Sequence, residues 1–232
     1  MNTPSIKLEA GQQVTVTLLE SDHEDMRDAR PVLERTFRRS GEGGAFEEVG
    51  GRRAAGEREP VAGGAEAAAA ALAIGKEVWS IIKDNQPDYT GSTPSSFVLH
   101  EKDRNGMHYP GAKEFQSKWY RFVDRNWTGA EMDSFKFRVY GEYRAQPPAG
   151  SGIPRGDYLP NIGVSISDVQ VNFANWLDVS AALENVGNAG TEEQYNPRVM
   201  LKIRVKSRGM FQTHGFEYNF RVTGRDGAVL VK

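Results

Sequence analysis

Beyond Pro94 the apolar residues of this chain recur mostly at every second position, the pattern of strands buried on one face. Phe135, Phe137, Val139 and, past Gly141, Tyr143 alternate with Lys136, Arg138, Tyr140 and Glu142. Val199, Leu201, Ile203 and Val205 do the same against Lys202, Arg204 and Lys206. Ile162, Val164 and Ile166 share one parity, whereas Val169, Val171 and Phe173 share the other, which predicts a bulge near Ser167-Asp168. Further strands are expected at Phe97–Leu99, Leu177–Leu183 and Phe216–Val222, and Asp226-Gly227 predicts a hairpin before Val229 and Val231. Nearer the start, Ile6, Leu8, Val14, Val16 and Leu18 predict short strands around Gly11.

One segment reads differently. Ala68, Leu72, Gly75, Trp79 and Ile82 are spaced by alternating fours and threes, and Ile74, Val78 and Ile81 form a neighbouring row. This pattern predicts an amphipathic helix over residues 65–83, ended by Asp84-Asn85-Gln86-Pro87. The longest apolar run, Ala67 to Ile74, is eight residues, far short of the about 20 that span a bilayer.

Composition sharpens the division of the chain. All but two of its Phe, Trp and Tyr residues lie between Trp79 and Phe220, so the core is expected from the last two-thirds. Residues 20–59 hold eight Arg, no Lys and eleven acidic residues, and eight of the 24 residues from Gly41 to Gly64 are Gly. Such a stretch buries too little to offset its ordering entropy. The expected organisation is N-terminal strands over 1–20, a flexible charged, Gly/Arg-rich segment over 21–63, and a helix plus an antiparallel β-sandwich over 64–232.

Charge and residue chemistry remove several functions. The net charge is −2, with no basic excess, so nucleic-acid binding is not expected. There is no cysteine, which removes disulfides, thiolate metal sites and Cys nucleophiles. Met1–Glu20 lacks a basic segment followed by an apolar core, so no ordinary cleaved leader is expected. A soluble chain follows, cytoplasmic or exported by another route. No Gly-x-Ser-x-Gly elbow, phosphate loop, dinucleotide fingerprint or His-Glu-x-x-His occurs, so neither an enzyme nor a cofactor is expected. A glycosidase carboxylate pair is defined by spatial separation, so the sequence names none. His100 and His108 lack the i, i+4 spacing of a helical metal pair. Asp103-Arg104-Asn105-Gly106 places its Gly at the wrong position for a calcium loop. Asn126-Trp127-Thr128 is a glycosylation sequon.

Two candidate contacts remain. Arg155-Gly156-Asp157 lies in a Gly/Pro-rich stretch and is similar to the integrin-binding loops of disintegrins, which implies an exposed adhesion loop. The segment Asn172-Phe173-Ala174-Asn175-Trp176-Leu177-Asp178-Val179, followed by Lys206-Ser207-Arg208-Gly209-Met210-Phe211, resembles actinoporins, pore-forming cytolysins without cysteine. The resemblance implies a β-sandwich with an amphipathic helix. It also implies lipid contact through Phe173 and Trp176, with Trp79, Leu72, Ile74, Val78, Ile81 and Ile82 on a helix that detaches into the membrane interface. A non-enzymatic binding protein is therefore expected, with membrane lipid or a protein as partner. Self-assembly into a homo-oligomer and carbohydrate binding are the alternatives.

Overall fold

In the computed structural model the described residues are 13–39, 46–53, 72–75, 77–87, 95–103, 109–173, 175–209 and 213–231. They form strands β1 (Gln13–Ser21), β2 (Arg30–Arg39), β3 (Phe46–Arg53), β4 (Leu72–Ile74), β5 (Val78–Lys83), β6 (Gln86–Pro87) and β7 (Ser95–His100). Then follow β8 (Lys113–Gln116), β9 (Trp119–Arg125), β10 (Glu131–Tyr143), β11 (Arg155–Gly156), β12 (Leu159–Val171) and β13 (Trp176–Asn188). The last are β14 (Gln194–Tyr195), β15 (Pro197–Arg208), β16 (Thr213–Thr223) and β17 (Gly227–Val231).

Two antiparallel sheets dominate. The larger runs β3-β2-β1-β9-β10-β12-β7-β4, with β8 also pairing β10; the smaller runs β17-β16-β15-β13-β5-β6. Their buried faces share one apolar core. Rings of β2, β9 and β10 meet those of β16: Phe37 and Phe216 are 5.3 Å apart, Tyr120 and Phe220 5.2 Å, and Phe137 and Phe220 6.1 Å between centroids. Each fully buried ring contributes about 1.5–3 kcal/mol of transfer free energy, so these contacts hold the sheets together.

The strand pattern read from the sequence continues into detail. On β12 the register against β10 shifts between Lys136↔Ser167 and Ser134↔Gln170, which leaves one extra residue on β12. Asp168 sits in that bulge at φ 49° and its carboxylate pairs with Lys136 at 2.5 Å. Thr223 and Gly227 close the hairpin between β16 and β17.

The expected helix is not formed. Residues 65–71 lie outside the described residues. Leu72 and Ile74 are half-buried on β4, which pairs β7, whereas Val78, Trp79, Ile81 and Ile82 are on β5, which pairs β13. Between them the chain leaves one sheet for the other at Gly75. Its amide donates to the Phe97 carbonyl, and a Cβ there would lie 2.4 Å from the Phe97 ring. Two short strands of opposite sheets, joined by this crossing, leave apolar residues at spacings that imitate a helical stripe. The β-branched Val78, Ile81 and Ile82 fit a pleated surface better than a helix. Among the described residues the single helical turn is the 3-10 piece Glu101–Asp103.

A second difference concerns the charged segment. Arg30–Arg39 and Phe46–Arg53 are not a linker but strands: β2 pairs β1 and β3 pairs β2. Val32 and Phe37 are buried, whereas Glu47 to Gly51 on β3 are all exposed. Backbone pairing and cross-strand charge, such as Arg35 with Glu48 at 3.9 Å, define this edge.

Candidate functional site

At one end of the two sheets the turns carry exposed aromatic rings. The β12–β13 turn presents Phe173, fully exposed, and β13 begins with Trp176, 47% exposed. The β9–β10 turn presents Trp127, 54% exposed. The two turns belong to the same end, because the Asn172 amide donates to the Met132 carbonyl where β10 begins. Exposed apolar side chains mark a contact surface where they gather on one face of a domain.

Local chemistry holds these turns. The Asn126 Oδ1 accepts from the amides of Thr128 and Ala130, both at 3.0 Å, and from the Thr128 hydroxyl at 2.7 Å. The sequon asparagine is thus the cap that shapes the Trp127 turn. On the other turn, Asn85 between β5 and β6 accepts from the Leu177 amide at 2.6 Å and donates to the Asn175 carbonyl at 3.1 Å. The exposed Arg208 is the register partner of Trp176, and Lys206 that of Asp178. Two cations of β15 therefore lie on the strand beside Trp176.

Beneath the turns the core ends in a polar plug. Asp124 on β9 and Asp133 on β10 are register neighbours and both fully buried. The Asn175 amide group donates to both oxygens of Asp133, at 3.0 and 3.1 Å. The Ser207 hydroxyl lies 2.7 Å from Asp133 Oδ2 and 3.3 Å from Asp124 Oδ2. Burial raises the Asp133 carboxyl above its ordinary range; hydrogen bonds from Ser207 and Asn175 oppose this and the Asp124 charge adds to it. Nothing in the sequence marked this pair, because its members meet only across two strands.

The other expected contacts fall elsewhere. Trp79 is 2% exposed on β5, in the core and not on a surface. Ile81 and Ile82 are buried beside it, and only Val78 of that group is exposed. The Arg155-Gly156-Asp157 stretch is not an exposed loop tip. Arg155 and Gly156 form β11, which pairs β14 in parallel, and a Cβ on Gly156 would lie 2.6 Å from the Tyr195 carbonyl oxygen. Asp157 accepts from Gln146 at 3.1 Å and from Arg225 at 3.4 Å, so its carboxylate is engaged within the fold. Residues 104–108, which include most of the Asp103–Gly106 turn and His108, lie outside the described residues. Among those described, no group of His, Asp and Glu is placed to hold a metal ion.

The smaller sheet also carries a shallow groove of about 980 Å³, lined in part by Lys83, Asp178, Arg204, Lys206 and Glu217. Much of the charge along this face is internally paired: Arg204 with Glu217 at 3.1 Å and with Glu184, and Lys202 with Glu184 at 2.9 Å. The Lys202 hydrogen bond holds the Glu184 carboxyl below its ordinary value.

No family model, no curated protein and no solved structure matches this chain.

Proposed function

We propose that this protein is a non-enzymatic β-sandwich that attaches to lipid surfaces through the turns bearing Trp127, Phe173 and Trp176. The observation that carries the reading is the grouping of three exposed aromatic side chains at one end, beside Lys206 and Arg208. Amphipathic rings partition well into the headgroup region. Burying one fully exposed and two half-exposed rings supplies about 5 kcal/mol, comparable to a single acyl anchor, so attachment is reversible and gains from anionic lipid. The two segments similar to actinoporins support the same reading, since their residues 176–178 and 206–208 lie side by side as register partners. A helix that detaches from residues 65–83 is no part of this proposal, because β4 and β5 belong to the sheets.

The test is co-sedimentation with phosphatidylcholine vesicles, with and without sphingomyelin or phosphatidylserine. Wild type pellets with vesicles, and Phe173→Ala weakens binding by about tenfold or more while leaving the far-ultraviolet spectrum unchanged. Equal binding of wild type and variant would overturn the assignment of the site. Quenching of tryptophan by sugars in place of lipids would turn the same rings toward carbohydrate.

A second reading rests on the sheet edges. The described residues leave β3 and β17 at sheet edges, and Val229 on β17 is 49% exposed. Exposed edge strands pair with other copies of themselves. Oligomers seen by light scattering without lipid, and insensitive to salt, would favour self-assembly.

A further inference from the structure

The groove on the smaller sheet begins beside Trp176 and carries charge that the fold leaves unanswered. Asp178, on its wall, lies two positions from Trp176 on the same face of β13. Of the other charged groups in the groove, Arg204 pairs with Glu217 at 3.1 Å and Arg35 with Glu48 at 3.9 Å. Glu217 also meets Lys202 at 3.2 Å. Among the described residues, Lys83, Asp84, Asp178 and Lys206 form no ion pair. Asp178 is oriented instead by the Asp84 amide, which donates to its Oδ1 at 3.2 Å and leaves Oδ2 open. Lys206 is the register partner of Asp178 on β15, and Ser80 and Ser180, partners of each other, continue the groove along β5 and β13.

The far wall has an opening where a side chain belongs. Gly215 lies inside β16 and is the register partner of Lys206. Glycine weakens a strand, because it loses much chain entropy and packs nothing. The fold does not require it here. A Cβ at Gly215 would meet nothing nearer than the Val205 carbonyl oxygen at 3.7 Å, an ordinary contact. At Gly141, Gly163 and Gly156, by contrast, it would lie 2.2, 2.5 and 2.6 Å from a neighbour. A strand glycine that faces open space marks a place where a ligand approaches the backbone.

We propose that this groove binds the headgroup of an anionic phospholipid that ends in a polyol. The phosphate lies against Lys206 above Gly215, with Lys206 between it and the Asp178 carboxylate. The polyol crosses β13, where Asp178 accepts from its hydroxyls and Ser80, Ser180 and Lys83 supply donors. The groove, of about 980 Å³, matches the upper range of small-ligand sites, about 300–1,000 Å³. A lipid is the occupant because the groove is continuous with Trp176, whose ring would sit at headgroup level. In this respect the proposal rests on the lipid-contact reading above.

The test compares co-sedimentation of the full chain with vesicles of phosphatidylcholine alone, or with the same mole fraction of phosphatidylglycerol or phosphatidylserine. The last two carry equal net charge, but only phosphatidylglycerol ends in a polyol. Phosphatidylglycerol tightens binding by about tenfold, the effect of one or two charge-assisted hydrogen bonds, and by more than phosphatidylserine does. Gly215→Val fills the opening: it keeps or raises the denaturation midpoint, since valine suits a strand, yet lowers binding to the level of phosphatidylcholine alone. Asp178→Ala abolishes the preference for phosphatidylglycerol over phosphatidylserine. If only surface charge were at work, losing this carboxylate would raise binding to both lipids, which would overturn the proposal. Equal binding of the wild type to both anionic lipids, or wild-type behaviour of Gly215→Val, would overturn it as well. Amide chemical shifts of the wild type titrated with glycerol 1-phosphate, without lipid, need no variant; they move at Ser180, Lys206 and Gly215. Attachment to phosphatidylcholine with no such shifts and no phosphatidylglycerol preference keeps the lipid reading and rejects the groove. Shifts without attachment to any vesicle reject the lipid reading and leave the groove as a site for soluble polyol phosphates.

Discussion

The two ends of the sheets treat rings and charges in opposite ways. At one end Trp127, Phe173 and Trp176 are exposed while Asp124 and Asp133 are fully buried. At the other, Tyr109, Tyr158 and Tyr195 are buried together with Leu99 and Ala145, and the carboxylate, Asp157, reaches the partly exposed Arg225. The Tyr158 ring is stacked on Tyr195 at 6.1 Å and meets Tyr109 edge-on at 5.1 Å, and its hydroxyl donates to the Pro154 carbonyl. The second arrangement is what stability alone selects, with apolar surface inside and charges paired near water. The first gives up stability twice, by exposing rings and by desolvating carboxylates. Such local departures from the folding rules are expected where a surface has work to do.

This contrast can be broken most forcefully at the closed end. Tyr158→Ala empties the centre of the tyrosine cluster and costs about 3–5 kcal/mol, read as a fall in the denaturation midpoint. Gly156→Ala forces a methyl group against Tyr195 and costs about 1–3 kcal/mol in the same measurement. Alkaline titration followed by tyrosinate absorbance comes next. Burial pushes the Tyr109 hydroxyl up to about 12 and that of Tyr158 higher still. These phenols stabilise the fold while neutral, and that contribution is lost as the pH climbs from 10 through the folded values. Tyrosinate absorbance from this cluster should therefore rise only near alkaline unfolding. Arg225→Ala removes a half-exposed ion pair and changes stability by no more than about 1 kcal/mol. Trp176→Ala at the open end changes stability least, by about 0.5 kcal/mol or less, because its ring is already half in water. If Trp176→Ala cost as much as Tyr158→Ala, the two ends would not differ in kind.

Legibility in the sequence followed the range of the interactions. Period-two alternation in β10, β15 and β16, the parity switch at Asp168 and the Asp226-Gly227 turn are local and could be read directly. The edge strand β3 was hidden because its described side chains from Glu47 to Gly51 face solvent, leaving no apolar signature. The 65–83 segment misled because the crossing at Gly75 sets two strands at helix-like spacing. Phe173 and Trp176 stood out as rings among turn residues. Trp127 was masked by the sequon around it, although a lone Trp between Asn and Thr-Gly is itself a sign of an exposed turn. The Asp124–Asp133 pair and the engagement of Asp157 by Gln146 and Arg225 depend on strand register and loop packing, which no local pattern carries.

The most direct test of the account is tryptophan emission in the presence of vesicles containing brominated phosphatidylcholine. Trp79 and Trp119, at 2% and 6% exposure, are shielded from the quencher, so the signal reports Trp127 and Trp176. The account predicts quenching and a blue shift in the wild type, largely lost when Trp127 and Trp176 are both replaced by Phe. Unchanged emission of the wild type at every lipid composition, or equal quenching in the doubly substituted protein, would contradict the aromatic end as a lipid-contact surface.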